Sequence, residues 1–391
     1  MKNGWTGGQY SVFRAFLGLY LLTHFAGWLS WAAERFSDTS ALPDRPANPL
    51  IFLFPNVLAL WDSPLAVRAL LAVAIVLSAL LAIGKRDRWA ALGIWYVLTC
   101  FLGRYPLVGN PSWPYVGWLL LAHAFVPRAP YGSWDARSRV DPAGGWRLPA
   151  AIFLVAWILM AAGYTYSGWT RLVGSSWVEG TAPSALPQLA TWGVLVVELS
   201  FAPLALFRRL RPWPWMLTLL MHLGLMTVPG SFDMSMGMVV FHVFTFDPAW
   251  MAPKRAQAAE WLYYDGSCGL CHRTVRFVLA EDRSGEAFRF APIGGDHFKA
   301  SIPDAERRAL PDSLVLRTSD GRLLTRSAGV LHLLARLGGL WRVAAFALRV
   351  LPTAARDAAY DLVAAIRYKL FARPTESCPL VPASLRERFD V

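Results

Sequence analysis

The feature that most constrains this chain is a succession of apolar stretches, each long enough to form a helix across a lipid bilayer. They run roughly over residues 10–33, 64–83, 89–107, 112–127, 148–167, 187–207, 213–229 and 235–250. A bilayer core takes about 20 mostly apolar residues per helix, so the pattern predicts eight spans. The stretch NPLIFLFPNVLALW at 48–61 is also apolar, but it is short and carries Pro49 and Pro55, which suits a re-entrant or interfacial piece better than a ninth span. With 55% hydrophobic and only 16% charged residues, the chain is too apolar for one soluble domain of 391 residues. The first stretch lacks a convincing cleavage site and reads as a retained helix, not a signal peptide.

A net charge of +12 would suit a nucleic acid if the basic residues formed one surface. Instead they fall in short clusters between the apolar runs: Lys85, Arg86 and Arg88; Arg128, Arg137, Arg139 and Arg147; Arg208, Arg209 and Arg211; Lys254 and Arg255. All of these clusters follow even-numbered spans, whereas the other side holds only scattered residues such as Arg35, Arg45, Arg104 and Arg171. The positive-inside tendency then puts both termini in the cytoplasm, with the protein in the inner cell membrane and no nucleic-acid partner. From about residue 258 the charged fraction rises and apolar runs shorten. The predicted organisation is a polytopic α-helical membrane domain at 1–253 and a small α/β domain at 258–391.

The second domain opens with YYDGSCGLCHRTVRFVLAEDR at 263–283, in which Cys268 and Cys271 are separated by two residues. EWLYYDG has strand composition and ends in a turn signal, while Leu270, Thr274, Val275, Val278 and Leu279 recur at helical spacing. Cys268 therefore falls at a strand-to-helix turn and Cys271 in the first helical turn. Free N–H groups and the positive dipole end there favour thiolate over thiol, so an exposed Cys268 is the expected attacking sulfur. Cys271 is close enough to resolve a mixed disulfide. Asp265 is placed either to exchange a proton with the pair or to cap the turn. CGLCH also fits a haem c attachment pattern, and a zinc set would need His272 and Cys378 at a spacing no standard finger uses, so no metal is expected. Cys378 is either a third thiol near the pair or a buried small residue, and Cys100 reads as helix packing.

Asp265, Cys268 and Cys271 in YYDGSCGLC resemble the Asp-Cys-Cys signature of the DCC family (DUF393) of thiol-disulfide oxidoreductases. The likeness continues through DSLVLRTSDGRLLTRSAGVLHLLARLGG and RDAAYDLVAAIRYKLF to ESCPL. It implies a thioredoxin-like fold, in keeping with strands at 260–264, 287–291, 313–318 and 322–326 and helices at 271–281 and 327–337. Residues 10–250 resemble the HTTM domain, a relative of the membrane part of vitamin K-dependent gamma-carboxylases. The residues carrying that likeness are Tyr164, Gly168, Leu172, Trp177 and Gly180, then VVELSFAPL and LLMHLGL. Where carboxylases have a lysine base this chain has Arg171, and a guanidinium cannot serve as a base near neutral pH, so carboxylation is not expected.

Glu198 and His222 are costly groups to carry inside a membrane and are candidates to pair across spans six and seven, as a polar site for a quinone or lipid head group or as a structural hydrogen bond. His24, His123 and His242 read as satisfied packing residues, and Trp113, Trp169 and Trp177 as interfacial anchors. The leading expectation is a membrane-anchored thiol-disulfide oxidoreductase with no required cofactor, acting on a disulfide-containing protein or small thiol amid membrane lipid. The rival is a lipid- or isoprenoid-handling enzyme or transporter whose cysteine domain is a redox regulator. A non-catalytic scaffold is the third.

Overall fold

The computed structural model describes residues 3–40, 54–105, 109–174, 188–371, 374 and 378–390. Trp177, Gly180 and the first part of the 48–61 stretch lie outside these residues. The chain divides into two units, each built from separate stretches: the first comprises Phe13–Arg128 and Pro149–Phe246, the second Lys2–Val12, Ala129–Leu148 and Asp247–Val391. The second unit thus takes in two stretches that the expected boundary near 253–258 assigns to the N-terminal domain.

The first unit is helical. Its elements are α1 (Gly7–Trp28, counted with the second unit as far as Val12), α2 (Ala32–Phe36), α3 (Val57–Leu60), α4 (Pro64–Ile83), α5 (Asp87–Arg104), α6 (Trp113–His123), α7 (Ala150–Val173), α8 (Gln188–Leu206), α9 (Pro212–Leu225) and α10 (Phe232–Thr245). Local chemistry sets the ends of α4: Ser63 accepts the Ala66 N–H at 3.2 Å, Pro64 fills the first turn, and Gly84 closes the helix at φ 74.

Each of the eight apolar segments contains a helix, but among the described residues only α4 and α7 are long and apolar enough to cross a membrane. The predicted eight spans are therefore not reproduced, for reasons legible in the elements. Helices α6, α9 and α10 have 11, 14 and 14 residues, about 17–21 Å against a core of about 30 Å. Helix α5 carries Asp87, Arg88 and Arg104 in its 18 residues, and α1 carries Gln9, Arg14 and His24. In α4 and α7 only 33% and 28% of the apolar window is buried, which leaves Val73, Val76, Leu154, Val155 and Ile158 facing outward. A helix from a soluble core would show the reverse.

The second unit is organised by a four-stranded sheet of β1 (Glu260–Tyr264), β2 (Phe288–Pro292), β3 (Val315–Arg317) and β4 (Leu323–Thr325), in the order β2-β1-β3-β4. β1 pairs in parallel with β2, Leu262 opposite Phe290, and antiparallel with β3, Leu262 opposite Leu316; β3 and β4 are antiparallel. The helices are α11 (Gly269–Glu281), α12 (Asp296–Ser301), α13 (Asp304–Ala309), α14 (Arg326–Leu337), α15 (Gly339–Arg349), α16 (Thr353–Leu370) and α17 (Ala383–Arg386).

Alternation along EWLYY sends side chains to both faces of the sheet, and both are covered. Leu262 and Tyr264 join Val275, Val278, Leu279, Phe288, Phe290, Leu316 and Leu333 in one core. Tyr263 joins Ala291, Phe298, Ile302 and Val315 in the other. The right-handed β1-α11-β2 crossover expected of parallel neighbours brings the start of α11 to the C-terminal end of β1, where the cysteines lie.

Candidate redox site

The turn from β1 into α11 is built by its own polar residues. Asp265 Oδ1 accepts the backbone N–H of Ser267 at 2.8 Å and its hydroxyl at 2.7 Å, an Asx turn that points the chain into the helix. Cys268 is the N-cap of α11, and its Sγ accepts the backbone N–H of Cys271 at 3.4 Å. His272 N–H donates to the Cys268 carbonyl at 3.1 Å. No disulfide links any of the four cysteines in this structure.

The exposures differ from those expected. Cys268 is fully buried, at 0%, and the half-buried sulfur is Cys271. Cys268 caps the first turn, whereas Cys271 packs partly against the core that holds Val275 and Leu279. Burial first, then the adjacent Cys268 sulfur, pushes the Cys271 thiol up to about 12. Cys271 is therefore a protonated thiol at neutral pH.

Asp265 is held by more than the turn. Its Oδ2 accepts from the Tyr368 hydroxyl and lies 3.7 Å from Arg367 Nη2. Burial works to raise this carboxyl, but the hydrogen bonds from Tyr368 and Ser267 and the charge of Arg367 outweigh it and hold the group below its ordinary value. Arg367, 5% exposed, also donates to both oxygens of Asp312 at 2.8 and 3.0 Å. Sequence reasoning missed Arg367, Tyr368 and Asp312. The signal lay in RDAAYDLVAAIRYKLF, quoted for its family likeness but not read as a helix that returns its polar residues to the cysteine turn.

Cys271 and Asp265 open onto a cavity of about 550 Å³. Leu270 and Thr274 of α11, Val330 and Leu334 of α14, and Ala359 and Val363 of α16 are among its walls. The polar groups in its lining include Asp265, Asp312, Tyr360 and Arg367. Cys378 is half-buried, its Sγ 3.6 Å from the Pro379 carbonyl. Burial first, then the Cys378 sulfur, raises the Tyr264 hydroxyl, which places Cys378 beside the last residue of β1. His272 Nε2 lies 3.0 Å from the Gly266 carbonyl. Among the described residues, no three His, Cys, Asp or Glu side chains converge as metal ligands.

The first unit gathers most of the other candidates, in a different pairing from the one expected. Glu198 Oε2 pairs with Arg171 Nη1 at 2.8 Å, while His222 Nε2 meets the Tyr164 hydroxyl at 2.8 Å. The expected Glu198–His222 pair is thus replaced by two pairs. Gly168 is the reason Glu198 comes so close to α7: a Cβ there would sit 3.0 Å from the Glu198 Cβ and from the Leu199 backbone nitrogen. His242 contacts Thr218 at 3.0 Å and the Met238 carbonyl at 2.8 Å, in keeping with a satisfied packing residue.

With this geometry in view, residues 262–373 match the family described as DCC1-like thiol-disulfide oxidoreductase. A chloroplastic DCC family protein of Arabidopsis thaliana is 30% identical over 119 residues, 30% of this chain and 68% of that one. This chain belongs to the DCC family. The match extends from β1 through α16, so the DCC domain includes the helix that carries Arg367 and Tyr368 as well as the cysteine turn. The uncharacterized protein YuxK of Bacillus subtilis (strain 168) is 30% identical over 132 residues, 33% of this chain and 91% of that protein. No solved structure matches the chain.

Proposed function

We propose that this DCC protein is a membrane-anchored thiol-disulfide oxidoreductase in which Cys268 attacks a disulfide and Cys271 resolves the product. The observation that carries the reading is Cys268 Sγ at the helix N-cap, accepting the Cys271 N–H at 3.4 Å. A sulfur so placed suits the negative charge that attacking and leaving sulfurs carry during exchange. Attack by Cys268 breaks the substrate S–S bond, forms a mixed disulfide and releases one substrate sulfur, which takes a proton. Cys271 then gives up its proton and attacks Cys268, releasing the second substrate thiol. The substrate gains two electrons, and the pair becomes a disulfide.

Cys268 is buried and Cys271 borders the cavity, so the substrate sulfur approaches the pair from the Cys271 side. Asp265 stays ionised and acts as a positioning residue, so proton handling falls to Cys271. The order β2-β1-β3-β4, with the pair at the mouth of β1, supports a thioredoxin-like reading of the domain. The outward apolar faces of α4 and α7 support anchoring in a membrane, and the alternating basic clusters support a multi-pass, HTTM-like domain in the inner membrane with the cysteines in the cytoplasm. On that side, reduction of a disulfide-bearing protein or small molecule is the natural direction. The purified full chain, supplied with a reductant, should reduce a small disulfide, and Cys268→Ser should abolish the activity; an unchanged rate in that variant would reject the assignment.

A second reading draws on the Arg171–Glu198 and Tyr164–His222 pairs, which form a polar cluster within the helical unit, buried except for the partly exposed Arg171. It takes that cluster as the seat of a lipid or quinone head group and the DCC domain as its redox regulator. A co-purifying lipid or quinone that is lost in Glu198→Gln would favour it.

A further inference from the structure

We propose that the corner where α15 turns into α16 is a lipid-binding element, which seats its apolar residues in the surface of an anionic bilayer. The inference goes beyond the exchange reaction and is carried by the DCC domain's own surface, whichever helices of the first unit cross the membrane. Three observations lead to it.

The first is exposed apolar surface. Every residue of FALRVLPTAA, 346–355, is exposed, Phe346 to 68% and Val350 to 80%, with Leu348 and Leu351 between and beside them. The opposite side of α15 turns inward, where Ala345 is buried and Trp341 packs against the core of Leu279 and Leu337. Large apolar side chains gathered on the outside of a domain mark a place where a second apolar phase is met. The second observation is charge at the same place. Residues 339–356 hold Arg342, Arg349 and Arg356 and no Asp or Glu. Positions three and four apart share a helix face, so Arg342, Phe346, Arg349 and Val350 form one stripe along α15. An apolar protein surface closing over Phe346 and Val350 would strip water from Arg349 and return no counter-charge. A bilayer meets both demands together, because its phosphates lie directly above its acyl chains: the apolar side chains enter, and the guanidinium stays among the head groups.

The third observation is continuity with the redox site. Leu348, Leu351, Ala355 and Ala359 are exposed and also line the cavity that Cys271 borders. Apolar surface therefore runs from the corner to the rim of that cavity, and a corner seated in lipid holds the rim at the bilayer.

The test uses the full chain reconstituted in vesicles of phosphatidylcholine and phosphatidylglycerol in equal parts, with the photo-crosslinker p-benzoylphenylalanine in place of Phe346. Irradiation should give a phospholipid adduct on the peptide carrying residue 346, read by mass spectrometry. The same label in place of Glu306, exposed on α13 between Ile302 and Leu310 of the other sheet face, should give none. Arg349→Gln should lower the yield at residue 346 about fivefold, and vesicles of phosphatidylcholine alone should lower it at least as much. No lipid adduct at residue 346 or at a label in place of Val350, equal yields at 346 and 306, or a cross-link from 346 to a second copy of the chain would each overturn the proposal. A yield in Arg349→Gln equal to the parent's would overturn the anionic-lipid assignment. Reduction of a small disulfide by the same vesicles reads the exchange reaction separately, so that either claim fails alone.

Discussion

Asp265 lies three residues before Cys268, where a carboxyl could move protons, yet its partners keep it charged. Its folded-state value is depressed, so what it contributes to the turn is present above the ordinary carboxylate value of about 4 and is lost as pH falls through the lower folded value. Asp265→Asn should slow disulfide exchange about tenfold at every pH between 5 and 8 without changing the shape of the profile; disappearance of a titration limb in that window would instead make Asp265 a proton carrier. Glu281 is the opposite case. It is 1% exposed and accepts from Gly8 N–H at 2.8 Å, Trp341 Nε1 at 2.6 Å and the Thr6 hydroxyl, but burial outweighs these donors and raises its carboxyl. A raised carboxyl supports folding fully below its ordinary value of about 4.3 and loses that support as pH rises through the folded value. Hydrogen-exchange protection of residues 3–12 should therefore weaken as pH rises above the ordinary carboxylate range in the native chain and stay flat in Glu281→Gln; parallel curves would show that Glu281 does not titrate with this contact.

At the scale of elements, regular patterns were legible and returning contacts were not. The strand predicted at 260–264 has those bounds, and the helix predicted from 271 begins at Gly269, because alternation in EWLYY and the apolar spacing from Leu270 to Leu279 are local signals. Helix α16 packs back on the cysteine turn across about a hundred residues, and no local period encodes that Tyr368 will meet Asp265. The buried state of Cys268 was unreadable for the same reason: a cap position announces its N–H partners but not what covers them. For the apolar segments, composition announced helices, of which two among the described residues are long and apolar enough to cross a membrane. Helix α4 offers a direct check through Val76, 59% exposed on an apolar helix. If that face meets lipid, Val76→Asp should cost about 2.5–3.5 kcal/mol of membrane insertion, read as loss from the membrane fraction; full retention there would count against α4 as a span.

For the whole molecule, the expected second domain is 258–391, and the DCC match falls at residues 262–373. The unit containing that domain also recruits residues 2–12 and 129–148, held by contacts such as Gly8 with Glu281 and the Arg139 and Val140 carbonyls with Arg276. Those partners are separated by 136 residues or more, so nothing in either stretch alone advertises the association. The account as a whole turns on which sulfur meets a substrate disulfide first. Mass spectrometry of the full chain carrying Cys271→Ser, mixed with a small disulfide, addresses this most directly. The account predicts a stable mixed disulfide on Cys268 and none on Cys378. An adduct that fails to form there, or that forms on Cys271 in the complementary Cys268→Ser chain at the parent rate, would contradict it.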